Sequence, residues 1–521
     1  MKLLQAIVTV GSFTMLSRIL GFVRDILIAA TLGAGPIADA FFVAFKFPNL
    51  FRRLFAEGAF AAAFVPILAG HVEARDENAA RLFTERAMSG LLLIVAAVVA
   101  IAELTMPFLM LAFAPGFADD QTKFDLTVLL TQITFPYLLF ISIASLFSGV
   151  LNTHGRFAAA AATPILLNLC LIAAVLILAP HTPSVGHALA IGVFIAGVVQ
   201  VIFLYGACAR AGIVLRPRKP VMSDDIKILL KRIIPVAIGA GVYQINLVID
   251  TIIASLLASG SIAYLFYADR VVQLPLGVVG VAVGTALLPS LSRAIKANDA
   301  AAARDSQNRA LEFALLLTLP AAVALAMIAE PIVHVLFERG AFDTEATLKT
   351  AAALGVYAFG LPAYVLIKTL APGFFARGDT KTPVLIAVAA MTVNLILNLL
   401  LMGPYQHVGI AMATVASSWL NVLLMAIILR KRGALDVDAR LKTKAIRMVA
   451  ASLVMGITLW LAWQYAAPGI VEIDPTIKIF SFVSLIVVGL LGYGIPAILF
   501  GAVKMSDLRS LRRRPPPIDA P

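Results

Sequence analysis

The chain has 521 residues, of which 61% are hydrophobic and only 13% are charged. In soluble proteins about 45–50% of residues are apolar and about 25% are charged. So few charges cannot cover so much apolar surface in water, which excludes a soluble enzyme, a disordered protein and a secreted disulfide scaffold. The net charge of +12 would suggest a nucleic-acid partner in a soluble protein. In a protein with many membrane spans it fits basic cytoplasmic loops instead, and no nucleic-acid partner is expected.

Apolar segments of about 20 residues are long enough to cross a bilayer as helices. Fourteen such segments follow one another along the chain. They are 3–32, 36–70, 87–113, 125–151, 157–180, 186–208, 233–257, 261–291, 310–329, 346–375, 382–402, 407–429, 446–466 and 477–503. The residues from 506 onward are basic and proline-rich, which predicts a disordered tail.

Basic residues are concentrated in every second segment that connects these spans. If the N-terminus is cytoplasmic, thirty Lys and Arg residues fall in cytoplasmic segments and four fall on the opposite side. Those four are Lys123, Arg339, Lys349 and Lys478. An error of one span would destroy this asymmetry, so the count predicts fourteen spans with both termini in the cytoplasm.

The sequence contains an internal repeat. Residues 25–41 (DILIAATLGAGPIADAF) match residues 250–266 (DTIIASLLASGSIAYLF) at eight of seventeen positions. Three further anchors match at a shift of 224, namely Pro107, Phe113 and Gly116 with Pro331, Phe337 and Gly340. Because the shift covers six spans, both copies insert the same way up, and we expect a pseudo-two-fold axis along the membrane normal.

The repeat predicts an all-α polytopic membrane protein with two parallel six-helix lobes around a central cavity and two extra C-terminal helices. The expected divisions are an N-terminal lobe at 1–215, a C-terminal lobe at 216–435, helices 13 and 14 within 436–505 and the tail at 506–521. Two similar lobes around a cleft are typical of transporters in which one lobe rocks against the other.

Charges inside the predicted spans cost at least about 2.5–3.5 kcal/mol each on insertion scales, so each needs a partner, a water-filled cavity or a substrate. Pairing within the protein is one interpretation. Glu57 lies four residues after Arg53 on one helix, within ion-pair reach. Asp25 is adjacent to Arg24 and is a candidate local partner.

A substrate cavity is the other interpretation, and it fits Arg18, Arg24, Arg52 and Arg270 better. Arg52 follows Phe45 by seven residues, hence on the same helical stripe, and the repeat maps Phe45 onto Arg270. These arginines therefore predict an anionic ligand, since the planar guanidinium binds phosphate oxygens in a bidentate manner.

A second candidate site consists of oxygen-bearing side chains suited to a hard cation such as Na⁺, namely Asp250, Asn394, Asn398 and Thr414. Ordinary hydrogen bonding between helices is the alternative explanation for these residues. The sequence has no ATP-binding loop and no metal-binding His or Cys motif. The expected driving force is therefore a monovalent cation or the membrane potential, without a bound cofactor.

Several long motifs resemble the MurJ (MviN) family of bacterial lipid II flippases, in the multidrug/oligosaccharidyl-lipid/polysaccharide exporter superfamily. The motifs are SRILGFVRD (17–25), ADAFFVAFKFPNLFRRLFAEGAFAAAFVP (38–66), YADRVVQLPLGVVGVAVGTALLP (267–289) and FFARGDTKTP (374–383). The resemblance covers essentially the whole chain.

The resemblance implies a substrate, undecaprenyl diphosphate bearing the disaccharide-pentapeptide of peptidoglycan. The family's functional charges match here as Arg18, Arg24, Asp39, Arg52 and Arg270. It also implies that spans 13 and 14 form a groove for the lipid tail and that the membrane potential helps drive turnover. Where some relatives have a second carboxylate on span 11, this chain has Asn398, which weakens the expectation of sodium dependence.

The implied function is a monomeric flippase of the bacterial inner membrane that moves lipid II from the cytoplasmic to the periplasmic leaflet by alternating access. Its implied partners are lipid II, membrane lipids and other proteins of peptidoglycan synthesis. One alternative is a flippase for another polyprenyl-diphosphate-linked glycan. A second alternative is a non-transporting scaffold or enzyme of the same pathway. An enzyme would need acid, base or metal groups near a membrane face, and the sequence shows no such set.

Overall fold

The computed structural model describes residues 2–52, 60–471 and 475–503. Every named element within these residues is helical, which confirms the predicted all-α class. Nine of the described helices are long and apolar enough to cross a membrane. The chain is therefore a polytopic membrane protein, and the exact number of fourteen spans stays a prediction.

The first part of the chain forms nine α-helices in its described residues. They are α1 (Lys2–Leu32), α2 (Pro36–Phe51), α3 (Ala61–Glu73), α4 (Glu77–Leu104), α5 (Met106–Phe113), α6 (Gln121–Thr134), α7 (Tyr137–Thr153), α8 (Phe157–Ala173) and α9 (Val185–Arg210). A single 3₁₀ turn, Pro115–Asp119, connects α5 to α6.

The second part forms eight α-helices in its described residues. They are α10 (Asp224–Ser255), α11 (Ser261–Lys296), α12 (Ala300–Met327), α13 (Ala329–Phe337), α14 (Thr344–Phe375), α15 (Lys381–Lys431), α16 (Ala439–Val471) and α17 (Pro475–Leu499).

Helix α15 contains a sharp reversal. Its 51 residues would be about 75 Å long if straight, far more than the hydrocarbon core of about 30 Å. Gln406 has φ 48° and ψ −131°, which are not helical. A methyl group at Gly409 would lie 2.3 Å from the carbonyl oxygen of Leu401, a distance that only a folded-back chain allows. The two arms of α15 therefore correspond to the predicted spans 11 and 12.

Several helices begin before the apolar segment that predicted them. α4 begins at Glu77 and α12 at Ala300, each about ten residues before its predicted span. Asp76 and Asp299 cap these two helices, because each carboxylate accepts a 2.8 Å hydrogen bond from a backbone N–H three residues later. Apolar length thus predicts the membrane-crossing part of a helix, while polar caps set where the helix begins.

The chain forms two compact units. The first contains Met1–Phe266 and Arg339–Ala346, and the second contains Tyr267–Glu338 and Thr347–Pro521. The predicted lobe boundary between residues 215 and 216 stays a prediction, as does the separate assignment of 436–505. The predicted tail at 506–521 lies outside the described residues.

Two contacts within the first unit are equivalent to each other under the repeat. The backbone N–H of Gly116 donates to Ser255 Oγ at 3.2 Å, and a methyl group at Gly116 would lie 2.2 Å from the Ser255 carbonyl oxygen. The repeat maps Gly116 onto Gly340 and Ala30 onto Ser255. A methyl group at Gly340 would lie 2.2 Å from the Ala30 carbonyl oxygen. Reciprocal contacts of this kind are what a two-fold axis produces, so they support the predicted repeat.

In the second unit, a cluster of charges attaches α16 to α12. Glu312 on α12 accepts hydrogen bonds from Lys444 Nζ at 2.6 Å and from the Arg440 guanidinium at 3.2 Å, both on α16. Arg309 bonds to Glu312 and to Asp438, which precedes α16. Each charge in the cluster therefore has opposite charges beside it.

Two loops predicted to be cytoplasmic are joined by a separate ion pair in this unit. The Arg432 guanidinium after α15 donates to the Asp379 carboxylate before α15. This hydrogen bond, with one from Thr382, holds the pKa of Asp379 well below its ordinary value. The pair is exposed and adds little to stability.

Candidate functional site

Arg24 and Asp25 form a buried ion pair on α1. Arg24 Nη2 lies 2.7 Å from Asp25 Oδ1, and the exposed fractions of the two residues are 5% and 2%. The remaining Arg24 nitrogen, Nη1, donates to Asn168 Oδ1 on α8 at 2.9 Å. Asn168 Nδ2 in turn donates to the Ser17 carbonyl oxygen. This network confirms Asp25 as a local partner of Arg24 and adds Asn168, whose role the sequence did not indicate.

The other three predicted cavity arginines are more accessible. Arg18 on α1 is exposed, and Arg52, directly after α2, is half-buried in the first unit. Arg270 on α11 is half-buried and belongs to the second unit. Whether the four arginines line one cavity stays a prediction. The predicted Arg53–Glu57 pair lies outside the described residues.

The candidate cation ligands fall in both units. Asp250 on α10 belongs to the first unit and accepts a 3.3 Å hydrogen bond from Asn246. Asn394 and Asn398 are fully buried one turn apart on α15 in the second unit. Thr414 on the other arm of α15 donates to the Ile410 carbonyl oxygen at 2.9 Å. That bond lies within one helix, so it does not test the alternative of hydrogen bonding between helices, and convergence of the four side chains stays a prediction.

Asp39 is 1% exposed, near the beginning of α2. Its Oδ2 accepts hydrogen bonds from Lys123 Nζ at 2.9 Å and from the Gly260 N–H at 2.7 Å. Its Oδ1 accepts one from the Ala263 N–H at 3.0 Å. Gly260 directly precedes α11 and Ala263 lies in its first turn, so the carboxylate caps that helix from a distant part of the sequence. A role of Asp39 in substrate binding stays a prediction.

Sequence reasoning missed Lys123 as the partner of Asp39. The charge count placed it among the four basic residues opposite the cytoplasm, as if it were solvated. In the structure Lys123 is 7% exposed. The sequence did hold one signal. Basic residues are rare on the side opposite the cytoplasm, and a lone lysine there has no topological role under the positive-inside rule, which indicates another role for Lys123.

The helical fold is shared with solved transporters. A structure described as an inward-facing multidrug resistance MATE family transporter of the MOP superfamily aligns with a TM-score of 0.66 at 15% identity, covering 82% of this chain and 98% of that one. The chain therefore has the fold class of that transporter structure.

The sequence defines the family within that class. The model of the family described as lipid II flippase MurJ matches residues 28–480. A probable lipid II flippase MurJ from Rhizobium meliloti is 45% identical over 90% of this chain and 88% of its own length. A lipid II flippase MurJ from Burkholderia cenocepacia is 39% identical, covering 89% and 91%. The chain belongs to the MurJ family.

A solved structure agrees with this assignment. The structure described as lipid II flippase MurJ in an inward closed conformation has a TM-score of 0.79 at 27% identity, covering 97% of this chain and 100% of that chain. The expected family membership is thus confirmed by both sequence and fold.

Proposed function

We propose that this protein is a transporter that moves lipid II from the cytoplasmic to the periplasmic leaflet of the bacterial inner membrane. The observation that carries the proposal is the family match over residues 28–480, together with curated relatives named as lipid II flippases over nine-tenths of the chain. The proposal takes the chain as a monomer. Its basic loops predict that both termini lie in the cytoplasm.

In this proposal Arg18, Arg52 and Arg270 bind the diphosphate of the substrate. Their guanidinium groups stay charged at any depth and match pairs of phosphate oxygens. Arg24 contributes less to this binding, because Asp25 already accepts two of its hydrogen bonds. Asp39 acts through the helix it caps, and the sugars and peptide occupy the cavity while the lipid tail follows the helices at 436–505.

The proposed driving force is the membrane potential. An inside-negative potential draws any net positive charge of the empty transporter toward the cytoplasm, by about 2.3 kcal/mol per 100 mV for a charge that crosses the whole membrane. That energy returns the unloaded transporter without ATP. Asp250, Asn394, Asn398 and Thr414 remain the candidate ligands if a sodium ion contributes.

The proposal is tested in a bacterium depleted of its own flippase. Expression of this chain should restore growth and prevent lipid II from accumulating on the cytoplasmic side. Arg52→Ala and Arg270→Ala should reach the membrane in normal amounts yet fail to restore growth, since removal of a charge from a span eases insertion. Arg52→Lys and Arg270→Lys should also impair function, because lysine lacks the bidentate fork.

Arg210→Ala is the matched control, because Arg210 is an exposed residue at the end of α9 and should be dispensable. If well-expressed Arg52→Ala and Arg270→Ala proteins support normal growth, the diphosphate role of these arginines is wrong. If the unmodified chain restores export of a different lipid-linked glycan and not of lipid II, the proposed substrate is wrong.

A further inference from the structure

Lys123 is held on three sides at the beginning of α6. Its Nζ donates to Asp39 Oδ2 at 2.9 Å and to Ser259 Oγ at 3.0 Å. The same ammonium lies 3.9 Å from the centroid of the Phe117 ring. Its own backbone N–H is capped by Asp120. A buried lysine with this many partners has a fixed position.

The groups that Lys123 bonds belong to different copies of the repeat. Asp39 lies in the first copy, whereas Ser259 lies in the turn between α10 and α11 of the second copy. Asp39 itself bonds the N–H groups of Gly260 and Ala263. Lys123 and Asp39 together therefore join the two copies at the end predicted to face the periplasm.

This charged contact has no counterpart under the repeat symmetry. The reciprocal contacts of Gly116 and Gly340 occur in both copies, but the repeat maps Asp39 onto Tyr264 and Lys123 onto Thr347. The positions equivalent to Asp39 and Lys123 therefore carry no charge, whereas α11 receives the Asp39 carboxylate at its beginning. The reciprocal glycine contacts are present in both copies of the repeat. The Lys123–Asp39 ion pair is present in the first copy alone, since the equivalent residues of the second copy are uncharged.

We propose that Lys123 is a positioning residue for transport, which locks the contact between the α1–α2 turn and the α10–α11 turn. The inference rests on the proposed function, since alternating access requires these turns to separate in each cycle. With Lys123 in place, the buried Asp39 carboxylate is neutralised and its oxygens point at α11. Without Lys123, the buried carboxylate lacks its cation, and separation of the turns hydrates it.

The test uses purified protein and the rate of maleimide labelling at two cysteines. Ser261→Cys introduces a thiol that reports separation of the turns, because Ser261 is 2% exposed in the first turn of α11. The natural Cys208 is fully buried on α9 and reports general unfolding. Cys170, which is less buried, is replaced by alanine in every variant.

Lys123→Met should raise the labelling rate of the introduced thiol at position 261 by at least about tenfold, the effect of losing one hydrogen bond between charged groups. Labelling at Cys208 should not change. Lys123→Arg should restore most of the protection, and Ser259→Ala, which keeps both charges, should give an intermediate rate. Asp125→Asn is the control, because Asp125 is an exposed residue on the same helix.

The charge-exchanged variant, Asp39→Lys with Lys123→Asp, separates charge pairing from capping. Labelling at position 261 should remain fast in it, because a lysine at position 39 cannot accept hydrogen bonds from the N–H groups of α11. Recovery of slow labelling in this variant would overturn the assigned geometry.

Two other results would also overturn the proposal. One is a Lys123→Met protein that labels at the parental rate at both thiols. The other is a parallel rise at position 261 and at Cys208, which would show a general folding role. The labelling assay contains no substrate, so its outcome is independent of whether the chain transports lipid II.

Discussion

At the scale of single residues, the position of Arg24 has two consequences. Its guanidinium is compensated by Asp25 and Asn168 within the first unit, so its charge does not require a ligand. Removal of Arg24 takes a buried cation away from the Asp25 carboxylate, and breaking a buried pair in this way costs about 3–5 kcal/mol. Loss of transport in an Arg24 variant therefore cannot be attributed to the substrate unless stability is measured as well.

A double-mutant cycle distinguishes these effects. We expect Asp25→Asn and Arg24→Met each to lower the midpoint of thermal unfolding in detergent by several degrees. The double variant should be less destabilised than the sum of the two, because neither charge is then left alone. Strictly additive effects would contradict the pairing seen in the structure.

Residue partners were only partly predictable from the sequence. Asp25 could be assigned to Arg24 because the two are adjacent. Lys123 could not be assigned to Asp39, since 84 residues separate them and no helical periodicity connects α2 with α6. For the same reason the acceptor role of Asn168 toward Arg24 required the structure.

At the scale of helices, the attachment of α16 depends on Glu312. Lys444 and Glu312 are both nearly buried, with side-chain exposures of 8% and 11%. A hydrogen bond between such charges contributes about 1.5–3 kcal/mol. This cluster supplies charged contacts between α16 and α12, beside apolar packing at Met448 and Ala451 and a 3.0 Å hydrogen bond from the Tyr493 hydroxyl on α17 to the Leu316 carbonyl oxygen.

We therefore expect Lys444→Met to lower the unfolding midpoint in detergent and to speed proteolysis in the linker at 432–438. Lys442→Met is the matched control, because Lys442 is exposed two residues earlier on the same helix, and it should leave both measurements unchanged. Equal behaviour of the two variants would show that the charged cluster does not hold α16.

The order of the helices was predictable, but their exact bounds were not. Membrane crossing requires an apolar run of fixed length, so hydropathy places each span within several residues. In helix α15, hydropathy predicted the position of the break, since the gap between the predicted spans at 403–406 contains the non-helical Gln406. Polar first turns and proline breaks, such as Pro136 between α6 and α7, depend on local hydrogen bonding and not on hydropathy.

At the scale of the whole molecule, the repeat connects sequence to transport. It predicts two equivalent lobes, and the reciprocal contacts of Gly116 with Ser255 and of Gly340 with Ala30 agree with it. A transporter needs at least two states of similar free energy. Symmetric contacts can form in related ways in both states, so a charged pair present in only one copy is a means of biasing the balance between them.

The central claim, that this chain moves lipid II across a bilayer, is tested most directly in vesicles. The purified protein is reconstituted with fluorescent lipid II in both leaflets, and a membrane-impermeant quencher is added outside. We predict that lipid II of the inner leaflet becomes quenched when the chain is present, and not with Arg270→Ala. A phospholipid bearing the same fluorophore should stay protected in both cases. Continued protection of inner-leaflet lipid II by the active protein, or equal quenching of both lipids, would contradict the claim.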